Sequence, residues 1–455
     1  MSRSQNSTLF SRFKTVIGIE GGFIRRNIVS LYVLYFATYA SSILTLPYLA
    51  RTLGPSSFGS LAATQAYAWC IQMIVEYGFN FSGARAAQKI RSDKFALADL
   101  IANIHGAKSG LFALCFAVTL LLAPYIPAFH ANSQLLVYGL IFGCAQGFTP
   151  IWIFQGIDRM KQFTVLDSSI RMVSTTFIFL LVKSPHDNGL AMGVQAIGAC
   201  VTTMIGLTII WWRVPLRVPS RQGILERLRE GGNLFIYRLT YNVQMYANPL
   251  LLSFFAAPRF VAFYSGPERI AKFALGVIGP FSEGIYPYLG RKFDESQDSG
   301  RKLALYTVGA TVLLTAGLSI VMFLLSPWLV RLALGDGFGD AVSVARILSF
   351  LPLVAGLVNS LGVQWMIPMG MGRKYNIITL CSFALHLCLS AILCSRWQHL
   401  GMASSVVLSQ SVAALAMLYF VRHGINLKKA AKTPLRVQDQ PLPVNVEEAV
   451  ESAQL

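Results

Sequence analysis

Arg269 and Lys272 stand three residues apart inside a stretch, 261–289, that otherwise reads as a membrane span. A spacing of three puts both on one helix face, so the two cations form a single charged surface. At 1.5 Å per residue they lie roughly 12–17 Å into the stretch, a depth from which snorkelling to the headgroups is hard. A charge at mid-bilayer costs about 2.5–3.5 kcal/mol on insertion scales. Paired cations at that depth therefore point to a polar cavity with an anion to fill it. Phosphate is the natural candidate, because an arginine grips two of its oxygens at once.

Four further cations lie within apolar stretches: Lys108, Arg171, Arg238 and Arg346. Arg238 sits about 8 Å into its span and can snorkel to the surface, and Arg346 is placed similarly at the other side. Lys108 and Arg171 lie about one turn deeper. The carboxylates in the same spans are Glu76, Asp167, Glu268 and Glu283, the candidates for ion coupling. Glu268 precedes Lys272 by four residues and Asp167 precedes Arg171 by four, both good ion-pair spacings. That spacing leaves internal neutralisation open as an alternative. Six cations facing four carboxylates still leave an excess of positive charge, which implies an anionic guest or anionic lipid headgroups at the rim. Gly266-Pro267 and Gly279-Pro280 interrupt the span that carries the pair and predict kinks there. His105 and His386 read as interhelical hydrogen-bond donors rather than proton carriers. The tryptophans, Trp69 and Trp152 among them, read as interfacial belts, and some could stack on sugar rings.

The elements that hold these residues are long and apolar. Of 455 residues, 54% are hydrophobic and 13% charged, where soluble proteins carry about 25% charged residues. Twelve stretches long enough to span fall at 28–50, 58–79, 101–124, 132–154, 164–183, 188–212, 233–256, 261–289, 303–327, 340–364, 375–395 and 398–421. Only helices satisfy their own backbone in lipid at such lengths, so the predicted fold is all-α. Basic residues alternate with the spans. Seven segments are basic: Arg3 to Arg26, Arg85 to Lys94, Arg159 with Lys161, Arg213 to Arg229, Arg291 to Lys302, Arg373 with Lys374, and Arg422 to Arg436. The opposite side has Arg51, Lys183, Arg259, Arg331 and Arg396. This asymmetry predicts cytoplasmic N- and C-termini. It also argues against nucleic-acid binding despite the net charge of +18, since that needs one contiguous basic face.

The seven cysteines all lie in apolar runs without CxxC spacing, which argues against disulfides and metal sites. No nucleotide, dinucleotide or hydrolase motif is present, so no cofactor is expected. An internal offset of about 203 residues relates the turn at Gly54 to Gly59 to the one at Phe254 to Ala262, consistent with two parallel halves. The expected organisation is an N-terminal segment, 1–27, along the membrane surface; a six-helix lobe, 28–212; a basic linker, 213–232; a second six-helix lobe, 233–422; and a polar tail, 423–455, without fixed structure.

Three stretches carry a family resemblance. They are Leu44 to Gly59 (with Pro47, Arg51, Gly54 and Phe58), Glu76 to Arg85 (with Gly78, Asn80 and Ser82), and Pro150 to Met160 (with Trp152, Phe154, Gln155 and Gly156). With Tyr286-Pro287, they resemble the polysaccharide-transporter family, the Wzx-type oligosaccharide flippases of the multidrug/oligosaccharidyl-lipid/polysaccharide (MOP) exporter superfamily. The likeness covers most of residues 25–425. It implies about twelve transmembrane helices in two MATE-like lobes. It also implies flipping of undecaprenyl-diphosphate-linked oligosaccharide between the leaflets of a bacterial inner membrane, for O-antigen, capsule or exopolysaccharide synthesis. A polysaccharide polymerase and a chain-length regulator are the partners it implies, and ion-gradient coupling fits the lack of an ATP site. On that reading Arg269, Lys272, Arg171 and Lys108 bind the diphosphate. The alternatives are a MATE-like drug/cation antiporter, which would prefer an acidic cavity, and a polytopic polymerase or ligase, which usually carries a large external loop that is missing here.

Overall fold

The computed structural model describes residues 44–125, 133–276 and 279–430. The interfacial segment 1–27, most of the first span and the tail from 431 lie outside these residues, as do the side chains of Arg238, Glu283, Tyr286 and Pro287. Every described element is helical: α1 over 44–76, α2 Phe79–Ile90, α3 Lys94–Leu122, α4 Ser133–Phe148, α5 Ile151–Gly156, α6 Met160–Leu181 and α7 Asn188–Trp211. The second half follows with α8 Arg221–Tyr246, α9 Asn248–Ser253, α10 Pro258–Gly276, α11 Gly279–Glu295, α12 Gln297–Leu334, α13 Ala341–Leu348, α14 Leu351–Asn359, a π-helical turn Ser360–Met366, and α15 Gly372–Ala430.

The expected spans map onto these helices. Gly54, with φ +69°, stands where the first two spans join inside α1, and Gln398, with φ 47°, breaks α15 between the last two. Pro267 stays within α10, and the expected kink at Gly279-Pro280 adjoins residues 277–278, which lie outside the described residues. The π turn was not predicted. All seven cysteines are free thiols. Large apolar side chains on α6 (Met172, Val173, Phe177, Leu180) and α12 (Leu313, Ile320, Leu324) are exposed, a surface that only a bilayer would solvate. Seven helices among the described residues are long and apolar enough to cross a membrane. α1, α8 and α10 are not among them.

Two motifs of the sequence prove to be one packing unit. Tyr77, at φ 46°, and Gly78, at φ 80°, turn the chain into α2. A Cβ on Gly83 of α2 would lie 2.8 Å from the Trp152 ring of α5, and one on Gly156 would fall against Ala87. These glycines let the short helices touch and bury Trp152 and Phe154 completely.

The halves meet unevenly. At the end bearing Arg51 and Arg331, one apolar cluster takes Leu49, Leu53, Phe58 and Leu61 from the first half and Phe263, Leu334 and Phe338 from the second. The rings of Phe58 and Phe263 both stand edge-on to Phe338, at 6.0 and 6.1 Å. Arg51 donates to the Leu332 carbonyl at 2.6 Å. Gly59 packs directly on the Pro258 carbonyl, so the two hairpin turns related by the internal offset touch each other. At the end bearing the basic loops the cores are separate. One lies around Phe79, Ile104 and Trp152, the other around Leu289, Trp365 and Met417, and α8 passes from the first to the second half between them.

Candidate functional site

A polar cluster lies where α1 and α7 of the first half face α9, α10 and α15 of the second. Glu268 is its fixed point. One carboxylate oxygen accepts from Lys272 Nζ, Asn248 Nδ2 and the Tyr264 hydroxyl, each at 3.0 Å. Asn248 is held in turn: its amide donates to the Gln244 carbonyl at 3.0 Å, and its Oδ1 lies 3.0 Å from His386 Nε2 on α15. Burying a carboxylate is costly unless donors surround it, and here two neutral donors and one cation do so.

The two predicted cations are treated differently. Lys272 pairs with Glu268, donates to the Met245 carbonyl and lies 5.5 Å from the Tyr246 ring. Arg269 turns the other way. It donates to Gln65 Oε1 across the lobe boundary and sits 5.3 Å from the Phe58 ring. Gln65 donates onward to Gln195 of α7 at 2.8 Å. Among the described residues Arg269 makes no ion pair; its hydrogen-bond partner is a neutral amide. The face of α1 that carries Gln65 also carries Trp69 one turn on. Trp69 stacks on Tyr246 at 5.1 Å with the planes 14° apart, and both rings remain partly exposed. Arginine, lysine, a pair of amides and an aromatic platform thus converge from both halves.

Lys108 and Arg171 lie elsewhere. Lys108 is wholly buried within the first half and donates to the Gly147 carbonyl at 2.8 Å. There it satisfies an orphan carbonyl in the last turn of α4, with Glu76 supplying negative charge nearby. Arg171 lies on the exposed side of α6, its side chain 47% exposed, paired to Asp167 at 2.8 Å. The i,i+4 spacing thus identified both ion pairs but not which one faces the other lobe. Arg346 is exposed beside the Phe323 ring. His386 joins two helices as expected, whereas His105 bonds back to Ile101 on its own helix at 2.9 Å. Gln65, Gln195, Asn248 and Tyr264 were missed. Their signal was present, since an amide or phenol within an apolar span also asks for a partner.

Fold and site together define a polytopic, all-helical membrane protein with the two-lobed fold of the MOP superfamily. The chain belongs to the polysaccharide biosynthesis protein family, which matches residues 24–293. Over 413 residues it is 26% identical to a protein of Escherichia coli (strain K12) named as a candidate O-antigen transporter, covering 88% of this chain and 97% of that one. A like-named protein of Shigella dysenteriae is 25% identical over 417 residues, 88% and 100% of the two chains. Among solved structures, an inward-facing multidrug resistance MATE family transporter of the MOP superfamily aligns with TM-score 0.62 at 17% identity, over 89% of this chain and 96% of that one. The lipid II flippase MurJ aligns with TM-score 0.63 at 12% identity, over 86% and 87%.

Proposed function

We propose that the protein flips undecaprenyl-diphosphate-linked oligosaccharide from the cytoplasmic to the periplasmic leaflet of the bacterial inner membrane, with both termini cytoplasmic. The observation that carries this reading is the Arg269–Lys272 pair, set between two lobes that are closed together at one end and have separate cores at the other. Arg269, unpaired by any carboxylate among the described residues, and Lys272 bind the diphosphate. Trp69 and Tyr246 stack on the first sugar, and the prenyl chain trails into lipid between the lobes. The relatives' names, O-antigen transport in both, support the polysaccharide class over a drug antiporter, as does the positive charge of Arg269, whose hydrogen-bond partner is a neutral amide. Lys108 and Arg171 take structural and lipid-facing roles on this reading, and the lobes divide at the linker 213–232. An ion gradient drives the cycle.

The test is translocation in proteoliposomes. Undecaprenyl-diphosphate-linked oligosaccharide is loaded in one leaflet, and its arrival in the other is read by protection from an impermeant glycosidase. Wild type transfers the glycan, and Arg269→Ala and Lys272→Ala lose most of the rate. Full rates in both variants would rule out this site, and failure of wild type to move the lipid at any imposed pH or sodium gradient would rule out the function.

A further inference from the structure

Glu268 and Lys272 form an ion pair in the middle of the site that the diphosphate reading assigns to an anion, and the two partners are held very differently. The carboxylate is fixed: its side chain is 4% exposed, two neutral donors fix it besides the lysine, and one of those, Asn248, is itself bonded to the Gln244 carbonyl and to His386. The ammonium is less confined. Lys272 is 24% exposed, its other contacts are a backbone carbonyl and a ring face, and its stem can rotate without disturbing the cluster. Such a pair has one immovable anion and one cation able to leave it.

We infer that Glu268 is a built-in stand-in for the substrate's diphosphate, holding Lys272 when the carrier is empty and yielding it when the carrier is loaded. This inference rests on the diphosphate reading and specifies how the same site works. A cation stranded in a low-dielectric interior is costly. In the loaded carrier the diphosphate neutralises Lys272. In the empty carrier, which must return across the membrane, nothing would do so without Glu268. The carboxylate and the ligand then compete for one ammonium. The competition weakens substrate binding and eases the return, and both effects have one cause. Arg269 takes no part in the exchange, because its partner is the Gln65 amide on the opposite lobe. It supplies the constant positive charge that attracts the ligand. The charged and titratable groups around the carboxylate are Lys272, Arg269 and Tyr264 on its own helix and His386 on α15.

The consequence has an unusual sign: removing the negative charge tightens binding and slows the cycle. Farnesyl diphosphate, which has the head group and a short prenyl tail, is titrated calorimetrically into purified protein. Glu268→Gln keeps the shape and the acceptor for Tyr264 and Asn248. It is expected to bind at least about fivefold more tightly, the low end of ordinary coupling energies. Its translocation KM falls with the affinity while kcat falls several-fold, because the empty carrier now carries an uncompensated charge. Glu268→Asp, which keeps the charge but withdraws it, gives an intermediate affinity and serves if the Gln variant does not fold. Asp167→Asn, which also removes the carboxylate of an i,i+4 pair but on the exposed side of α6, stays within about twofold of wild type. Equal or weaker binding by Glu268→Gln and Glu268→Asp, with wild type binding normally, overturns the inference and leaves the diphosphate reading standing. No binding of farnesyl diphosphate to wild type or to either variant overturns both.

Discussion

The closed end of the lobe boundary depends on one missing methyl group. Gly59 of α1 faces the backbone of the second half, and an alanine there would set its Cβ 2.6 Å from the Pro258 carbonyl carbon and 3.0 Å from the Ala262 amide nitrogen. Non-bonded heavy atoms settle about 3.5–4.0 Å apart and the Pro258 carbonyl oxygen would lie nearer still, so α1 and α10 would have to separate by about 1.5 Å or more. The obstruction is backbone on both sides, which cannot rotate aside as a side chain can. Overpacking of this kind costs about 1–3 kcal/mol. At about 1.4 kcal/mol per decade, Gly59→Ala lowers the population of the closed arrangement by about fivefold to more than a hundredfold. Once the lobes part, the clash vanishes, while alanine's helix preference over glycine is common to both arrangements and leaves their ratio unchanged. The change is read by electron–electron distance measurement between spin labels at Ser56 and Arg259, exposed residues on either side of the seam, in a background free of native cysteine. Gly59→Ala adds a longer-distance population that wild type lacks. Gly110→Ala, placed where a Cβ meets nothing within 4 Å, does not. A folded Gly59→Ala protein with the wild-type distance distribution would refute the reasoning from close backbone contact.

Other outcomes follow from the same structure. Lys108→Ala leaves the Gly147 carbonyl without its buried donor. It lowers stability by about 1–3 kcal/mol, seen as a lower melting temperature in detergent, while the affinity for farnesyl diphosphate in the folded fraction stays at wild type. Arg171→Ala changes neither stability nor affinity beyond about twofold, since an exposed pair contributes about 0–1 kcal/mol, and titration and thermal melting both check this. Trp69→Ala removes one half of the aromatic stack on Tyr246. It weakens binding of the lipid-linked oligosaccharide by about 0.5–1.5 kcal/mol and leaves farnesyl diphosphate untouched, a difference that parallel titrations with the two ligands measure.

The helical spans were legible because backbone satisfaction in lipid leaves little else possible. The kink positions were less so: proline spacing marked Gly266-Pro267 as a break of the eighth span, yet Pro267 is absorbed within α10. Spacing also found the Glu268–Lys272 and Asp167–Arg171 pairs. It could not tell the lobe boundary from the lipid face, because both pairs look alike along the chain and differ only in which neighbour each helix meets. Arg269's partner, Gln65, is 204 residues away, and no local pattern links them. A cue was nonetheless available. Among the described helices of 18 residues or more, those that fall short of membrane-like apolarity are α1, α8 and α10, and they supply Gln65, Trp69, Tyr246, Glu268, Arg269 and Lys272. A span that sacrifices hydrophobicity faces something other than lipid. The motif stretches 76–85 and 150–160 mark a different feature, a close approach of two short helices through Gly83 and Gly156, and the polar contacts of the site fall outside them.

Photo-crosslinking addresses the docking of a diphosphate between the lobes most directly. A prenyl diphosphate with a photoreactive group next to the head group is irradiated with the protein in lipid, and adducts are mapped by mass spectrometry. Labelling concentrated at Gln65, Trp69, Tyr246 and the helix Pro258–Gly276, and lost on substituting Arg269, is the predicted result. Adducts confined to the lipid-facing surface of Met160–Leu181, unaffected by that substitution, would contradict it.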